Sequence, residues 1–460
     1  EWNSGEEISV ELFDEDANKN SRADEDLDLN DPNVDLIPTL RTGTPATLGE
    51  LDVATLSGTT DVDLGNEVQG FSDRALLTTA ASIDFGAVDD TLSLQVGTMK
   101  DFYDAAPIDD ADFNGFALFN YDIRSLSDNA AVDSVDISIN GVTIATDVDA
   151  TQNLILLDQT EVDALDGFSG NTDLDIVFTV NTGTVSTIPE GTVLPVVVDI
   201  FGFGFLNDGL EDDERVANQI IRLELEETGD NTSLFEGSLE YVMINQLNIL
   251  DSSTYEDLST IADDPSFIVI EDLDDEESPR VTYLDLGSDG VATQVSDQLE
   301  APSHSGIVSF DKDSYKIADT VEITLEDLDL NTDVDLIDIY TTVTGGVLND
   351  VVGDATHSIE LPNGDQLGRL LDVTFDDQLW TNNNASCVAE LRSDDTGLGA
   401  TGFTLIETDT ESGIFTGNFQ IPIDWCREGA TSPESSTGLD IEVNYVDFRD
   451  ASGETIEVND

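Results

Sequence analysis

Six oxygen-bearing side chains between residues 327 and 338 could together bind a hard metal ion. They recur at every second position and end with a carboxylate at the twelfth place: Asp327, Asp329, Asn331, Asp333, Asp335 and Asp338. Ligands at alternate positions of a short loop, closed by such a carboxylate, are typical of loops that wrap Ca²⁺. Without a cation, carboxylates this close would repel one another. The stretch therefore predicts a Ca²⁺ loop.

The N-terminus repeats this loop without a gap, because residues 2–20 align with residues 315–333. The matching side chains are Asp14, Asp16, Asn18 and Asn20, with Glu25 at the twelfth place. A second alignment places residues 25–30 on residues 326–331. Its candidate ligands are Glu25, Asp26, Asp28 and Asn30. The sequence supports both alignments, so both clusters are predicted Ca²⁺ ligands.

The loops differ from EF-hands. The loop glycine that an EF-hand requires is Lys19 in one copy and Thr332 in the other, and strand-like sequence precedes each loop. A solvated acidic turn is the alternative interpretation, but recurrence after the same strand pattern favours the cation. A third candidate does contain a glycine, Gly115, directly after its ligands. Those ligands are Asp110, Asp112 and Asn114.

Composition restricts the classes of partner. The 460 residues include 15 basic and 100 acidic ones, a formal net charge of −85. Such a chain repels nucleic acid and anionic membranes, which excludes both as electrostatic partners. Hydrophobic residues make up 39% of the chain in alternating runs, so a folded core is expected rather than disorder. The longest apolar run, residues 193–206, contains Asp199 and is too short to span a membrane as a helix.

Strand signals and internal repeats predict an all-β fold built from β-sandwich modules. Each Asp loop follows an alternating strand such as residues 321–325. A hairpin repeats at residues 227–237 and 407–417, and its Phe235 and Phe415 are predicted to fill the core as plugs. The Glu and Thr of each copy are expected to stabilise the turn or to bind a cation. A third repeat, Val-x-Tyr-x-Asp, occurs at residues 281–285 and 443–447. The chain thus contains two copies of the same series of elements: a strand, an Asp loop, a Phe-containing hairpin and a Val-x-Tyr-x-Asp strand.

Spacing within the copies predicts the domain organisation. The first copy has about 130 more residues between Asp loop and Phe hairpin than the second, enough for a further small domain. We predict a first module from residues 1–80 and 206–250, an inserted β domain at 81–205, a connecting β segment at 251–300, and a second module at 301–460. The second module opens with a strand at residues 307–311 that the first lacks. A strand from a preceding segment or from a neighbouring molecule is therefore expected beside residues 6–12.

Cysteines and asparagines suggest covalent modification. Cys387 and Cys426 lie in the same module and are predicted to pair if the protein is extracellular; as free thiols they would be ordinary core residues. Asn231 and Asn384 each begin a glycosylation acceptor sequence.

Three segments, residues 214–237, 310–331 and 407–417, resemble surface-layer (S-layer) proteins of ammonia-oxidising archaea. The resemblance implies tandem immunoglobulin-like domains, a two-dimensional lattice on the outside of the cell, bound divalent cations and very acidic pores. It carries cation ligands over to Asp327, Asp329, Asn331 and Asp333 and to Asp14, Asp16, Asn18 and Asn20.

We therefore predict a structural protein that self-assembles into an anionic lattice, binds Ca²⁺ and enriches small cations such as ammonium. The alternative is an extracellular adhesin or filament subunit built from the same modules. An enzyme is not expected, because the sequence has no GxSxG, P-loop, GxGxxG or HExxH motif. The only two histidines, His304 and His357, lie in polar sequence and are expected to be exposed.

Overall fold

The computed structural model describes residues 2–69, 71–86, 90–181, 184–206, 214–244, 254–255, 258–270, 273, 278–287, 290–332, 336–341, 359–360, 366–367, 370–382, 387, 397–398, 401–427, 430–453 and 455–460. Within these ranges, strands in mainly antiparallel sheets dominate and the helices are few and short. The chain is therefore all-β, as predicted.

The secondary-structure elements are as follows. Up to residue 206 the strands are β1 (Ile8–Phe13), β2 (Thr39–Thr42), β3 (Leu51–Ser57), β4 (Val62–Gln69), β5 (Arg74–Thr79), β6 (Ile83–Phe85), β7 (Asp90–Thr98), β8 (Phe113–Asp122), β9 (Ser134–Ile139), β10 (Val142–Val148), β11 (Gln152–Leu156), β12 (Asp173–Asn181), β13 (Ser186–Ile188) and β14 (Val193–Leu206). The helices are α1 (Met99–Ala105), α2 (Arg124–Asn129) and α3 (Gln159–Asp166), with 3-10 turns at Leu48–Glu50 and Leu328–Leu330. The later strands are β15 (Glu214–Leu223), β16 (Glu226–Glu227), β17 (Leu234–Met243), β18 (Ile261–Ala262), β19 (Ser266–Val269), β20 (Arg280–Leu286), β21 (Ala292–Gln298), β22 (Ile307–Phe310), β23 (Thr320–Glu326), β24 (Ile339–Thr341), β25 (Ile359–Glu360), β26 (Gln366–Leu367), β27 (Leu371–Phe375), β28 (Gln378–Asn382), β29 (Thr404–Glu407), β30 (Ile414–Gln420), β31 (Asp424–Arg427), β32 (Glu434–Ser435), β33 (Ile441–Asp447) and β34 (Ile456–Asn459).

Two packed layers form the first module. One has the strand order β1-β17-β16, with β19 parallel to β17, and the other follows the order β15-β2-β20-β21. Successive side chains of a strand point to opposite faces, so the alternating apolar residues of both layers meet in the middle. Trp2, Tyr241 and Phe267 pack at one end of this core, and Leu225 and Phe235 at the other.

The inserted domain has its own core, which extends from Leu48 to Ile200. Its strands follow the order β10-β9-β12-β7-β3-β4-β5-β14, so β3, β4 and β5 belong to it. This corrects the predicted boundary at residue 81. The long strand β14 pairs with β5 at its start and with β15 at its end, which joins the inserted domain to the first module. Strands β20 and β21 belong to the first module, although the sequence predicts a connecting segment there.

The second module is a sandwich of two sheets, ordered β22-β23-β30-β29-β24 and β32-β31-β28-β27-β33-β34. Val321, Ile323 and Leu325 of β23 are fully buried against the facing sheet, and Trp380 lies in the same core. The predicted Phe235 and Phe415 plugs are both fully buried in their modules. Among the residues that the structure describes, no helix combines the length and apolar character needed to span a bilayer.

Candidate cation sites

Both predicted Asp loops leave the same strand pair in the same register. In the first module β1 pairs with β17 so that Leu12 lies opposite Phe235, and in the second β23 pairs with β30 so that Leu325 lies opposite Phe415. Each loop then starts with a backbone bond to the hairpin turn. The Asp14 N–H donates to the Ser233 carbonyl at 3.0 Å, and the corresponding N–H of the second module, at residue 327, donates to the carbonyl of residue 413 at 2.8 Å.

The closing residues of the loops decide which alignment is structural. The Glu25 N–H donates to the Glu227 carboxylate at 3.3 Å, and the Asp338 N–H donates to the Glu407 carboxylate at 3.2 Å. The reciprocal backbone bonds, from the N–H of each hairpin Glu to the carbonyl of the closing residue, are also present. Glu25 is therefore the counterpart of Asp338, which selects the alignment that begins at Asp14.

The hairpin glutamates support turns. Glu227 accepts the Ser233 N–H at 2.6 Å, and Glu407 accepts the Gly413 N–H at 3.0 Å. Burial opposes ionisation of Glu227, but backbone N–H donors from Ser233 and Glu25 outweigh it and lower its pKa. Burial and the neighbouring Glu227 raise the pKa of Glu25. Of this carboxyl pair, Glu25 is thus the member that takes up a proton or faces a cation.

In the second module the Asp loop is tightly hydrogen-bonded. Asp327 is buried and accepts the Asp329 N–H at 2.9 Å and the hydroxyl of Tyr445. Asp329 is also buried and accepts the His304 N–H at 2.8 Å, while the His304 ring Nδ1 lies 2.9 Å from its other oxygen. His304 is therefore largely buried, which corrects the expectation of an exposed histidine; His357 lies outside the described residues.

Asn331 of this loop contacts the first module. Its Nδ2 donates to the Ser4 carbonyl at 3.0 Å, and the Ser4 hydroxyl donates to the Asn331 carbonyl at 2.9 Å. Both residues are buried. Among the described residues, the Asn331 Oδ1 is a buried oxygen with no hydrogen-bond donor. The loop therefore ties the modules together and keeps one amide oxygen available.

The electrostatics of this site favour a positive charge. Burial, followed by the negative charges of Asp329 and Asp447, raises the pKa of Asp327 well above its usual range. Burial likewise raises the pKa of Asp329, and that of Asp447 to about 6. The burial of Tyr445, followed by Asp327 and Asp447, raises its pKa strongly. Buried carboxylates this close need protons or a counter-cation.

Only part of the predicted ligand set can be placed. Asp333 and Asp335 lie outside the described residues, and Asp338 accepts the Thr332 N–H at 2.8 Å and its hydroxyl at 2.6 Å. Carboxylate oxygens have several lone pairs, so these bonds leave room for further coordination. Within the described part of the chain, no group of three or more His, Cys, Asp or Glu side chains has the geometry to hold a metal ion. Ca²⁺ binding here stays a prediction.

The first module's loop lines an open pocket of about 410 Å³. Eight carboxylates face it: Asp14, Asp16, Asp24, Glu25, Asp26, Asp28, Asp31 and Asp35. Lys19 also lines it and forms an ion pair with Asp35 at 3.2 Å. Asn20 is part of the wall, and Asn18 donates to Glu227 at 3.1 Å. A cavity walled by so many like charges concentrates cations.

The loop oxygens in this pocket are held as in the second module. Tyr283 donates to Asp14 at 2.8 Å, as Tyr445 does to Asp327. The Asp16 N–H donates to Asp14 at 2.7 Å. Sequence reasoning missed the tyrosines as part of these sites, although the Val-x-Tyr-x-Asp repeat was their signal.

The second alignment's residues lie on the side of the pocket toward the inserted domain. Burial, followed by the charge of Glu224, raises the pKa of Asp28. Asn30 donates to Asp128 at 3.1 Å, and Asp26 forms an isolated β-bridge with Glu226. The two predicted clusters therefore share one pocket rather than two separate loops.

The third candidate is a solvent-exposed turn. The Asp112 N–H donates to the Asp110 carboxylate at 3.0 Å, and both side chains are exposed. Asn114 begins the strand that follows, and its side chain lies outside the described part. Cation binding at this turn stays a prediction.

The predicted covalent sites are partly visible. Cys387 and Cys426 form a disulfide, with Cα atoms 5.5 Å apart. Asn231 is exposed at the tip of a hairpin turn, with φ of +61°, a position open to a glycan. Asn384 lies outside the described residues.

Comparison with known proteins does not assign the chain to a group. No protein-family model matches the sequence, and no curated protein is significantly similar to it.

Proposed function

We propose that this chain is a structural subunit of an extracellular S-layer, built from immunoglobulin-like modules and assembled into a porous anionic sheet. The observation that carries the proposal is the net charge of −85 on a chain of tandem β-sandwich modules. A sheet of such subunits would shield the cell mechanically while its acidic openings admit small cations. The sequence resemblance to archaeal S-layer proteins supports the same interpretation.

The placement of the basic residues supports an anionic surface. Arg74 and Arg222 are fully buried, and Arg124 is largely buried between Asp122 and Glu224. The structure therefore uses several of its few positive charges internally, where they neutralise only neighbouring groups. In the described part of the chain most carboxylates are exposed or half-buried, and 15 basic residues are too few to pair with 100 acidic ones. The acidic pocket described above is one concentration of these carboxylates.

Openings in such a sheet would select by charge. At physiological ionic strength the Debye length is about 8 Å, so an opening of about 16 Å or less keeps a negative potential across its width. Small cations, ammonium included, would be enriched there and anions depleted. A diffuse field of carboxylates distinguishes charge more than identity, so selectivity between monovalent cations is not part of the proposal.

Ca²⁺ is proposed as the ion that stabilises the Asp loops. In the second module Asp327, Asp329 and Asn331 would hold it, and in the first module Asp14 and Glu25. Two observations support this: the buried Asn331 oxygen has no hydrogen-bond donor among the described residues, and the pKa values of Asp327 and Asp329 are raised. A ligand that binds only the folded state stabilises it by about 2.7 kcal/mol at a hundredfold excess over its Kd.

The calcium proposal is tested by calorimetric melting in Ca²⁺ and in excess chelator. Ca²⁺ should raise the melting temperature of the chain. Asp327→Asn should remove most of that increase, whereas Asp313→Asn, at an exposed position of the same module, should retain it. An equal response of all three proteins to chelator would contradict Ca²⁺ binding at this loop.

The lattice proposal is tested by electron microscopy of the assembled protein. Ordered two-dimensional sheets support an S-layer, single-file polymers support the filament alternative, and a monomer in every condition contradicts both. With sheets in hand, partitioning of ammonium and chloride is measured at low and high salt. Ammonium should be enriched in the sheets at low salt only. Equal partitioning of ammonium and chloride would mean that the acidic side chains serve only to keep the protein soluble.

A further inference from the structure

The two modules differ at one edge. In the second module, β22 lies antiparallel to β23, with Val308 opposite Leu325 and Phe310 opposite Ile323. Val308 is 5% exposed and packs into the module's core. Under this cover, the three inward residues of β23 are fully buried. In the first module, the corresponding strand is β1, and among the described residues it pairs only with β17.

A groove of about 480 Å³ runs along this uncovered edge of β1. One wall is formed by Ile8, Val10 and Leu12, which are only half-buried. The other wall comes from β20 and β21, where Val295 is 43% exposed. The inward residues of β1 are thus more exposed than the aligned inward residues of β23. The presence of β22 beside β23 accounts for this difference. The groove beside β1 therefore corresponds in location and in apolar character to the space that β22 occupies beside β23.

Polar anchors for a strand are present as well. In the second module, the Phe310 N–H donates to Asp460 at 2.7 Å, and the Gly306 N–H donates to Asp447 at 2.8 Å. Strand pairing aligns Asp297 with Asp460 and Asp285 with Asp447. Asp297 lines the groove, and Asp285 lies two residues from Tyr283, which also lines it.

We propose that this groove binds a further β-strand, antiparallel to β1. The strand has the chemistry of residues 306–311: a small residue, an apolar residue two positions later and an aromatic residue two positions after that. Strand addition supplies backbone hydrogen bonds, and alternate side chains supply specificity. The small residue is required because a Cβ at position 306 would come within 2.2 Å of the Tyr445 ring, and Tyr283 is its counterpart. The inference is independent of whether the assembly is a lattice or a filament.

A synthetic peptide with the sequence of residues 306–313, GIVSFDKD, is the probe. Its binding to the intact chain is measured by calorimetry, and hydrogen exchange of residues 8–13 is measured with and without it. We expect saturable binding at one site per chain and slower exchange at alternate β1 amides. A peptide with Asp at its Val308 position should fail to bind, whereas Asp at its Ser309 position, which points outward, should be tolerated.

The site is verified with a chain variant that leaves the fold intact. Val295→Asp places a charge in the groove at a position that is already exposed, and should weaken peptide binding at least about tenfold. Val53→Asp, at a similarly exposed position of the inserted domain, should have no effect. No saturation, or equal binding to both variants, would overturn the proposal. Concentration-dependent dimerisation that Val295→Asp abolishes would support the proposal and identify a second copy of the chain as the source of the strand.

Discussion

Replacing Arg222 by Met is expected to loosen the inserted domain from the first module. Arg222 lies on β15, Asp199 lies on β14, and neither side chain is exposed. Two guanidinium N–H groups donate to the two Asp199 oxygens at 2.6 and 2.9 Å, and Nε donates to the Ser72 carbonyl at 2.6 Å. Asn120 completes the arrangement by donating to Asp199 at 2.9 Å.

The magnitude follows from what the substitution leaves behind. Without Arg222, Asp199 is a buried carboxylate to which, among the described residues, the Asn120 amide alone donates. Removing one partner of a buried pair costs about 3–5 kcal/mol, because the remaining charge is uncompensated. Replacing both residues, Arg222→Met with Asp199→Leu, removes that charge as well. The double variant is therefore expected to be more stable than Arg222→Met alone.

Calorimetry and site-resolved hydrogen exchange provide the assay, since a chain of several domains does not unfold in one two-state step. Exchange in β14 and β15 should accelerate in Arg222→Met by the factor that corresponds to the lost stability. Arg427→Met is the matched control, because Arg427 pairs with Glu434 at 3.4 Å on the surface and such pairs contribute about 0–1 kcal/mol. If Arg222→Met destabilised the chain no more than Arg427→Met does, the reasoning would be wrong.

Three further predictions concern the second module. Burial raises the pKa of Asp447 to about 6. The contribution of Asp447 to stability is therefore complete below about pH 4 and is lost, by up to about 3 kcal/mol, as pH rises through about 6. Asp447→Asn should flatten this pH dependence of stability in excess chelator, and an unchanged slope would contradict the prediction. Cys387→Ser opens a loop of 39 residues and should cost about 4 kcal/mol in denaturant titrations, matched by reduction of the native chain. Both Glu407 oxygens accept backbone N–H groups, so Glu407→Gln places its amide donor against one of them and should cost about 1–3 kcal/mol by the same assay. An unchanged stability would show that the glutamate does not hold the turn.

Strand content and the module repeat could be predicted because both are local. Alternation at residues 321–325 identifies a strand directly, and the repeated Phe235 and Phe415 identify the core plugs. The boundary of the inserted domain could not be predicted in this way. It depends on β3 pairing with β7 and β5 with β14, and period-two alternation does not specify which strand is the partner.

The candidate sites show the same division between local and distant information. The spacing of Asp327, Asp329 and Asn331 identified the loop, but not the groups that surround it. Tyr445 reaches Asp327 from a strand over a hundred residues later, and His304 reaches Asp329 from the segment between the modules. A lone histidine in polar sequence carries no sign of this contact, because only the fold brings it beside a buried carboxylate.

Strand addition and the acidic pocket are connected through Tyr283, which lines both cavities of the first module. In the second module, the residues just before β22 cover the Asp loop: His304 contacts Asp329, and Gly306 lies against Tyr445 and Asp327. A strand bound beside β1 in the same register would carry its own preceding residues over Asp14 and Tyr283. Cations in the pocket would then be partly enclosed by the residues that precede the bound strand. Occupancy of the groove and of the acid loop should therefore be linked, each strengthening the other by the same factor.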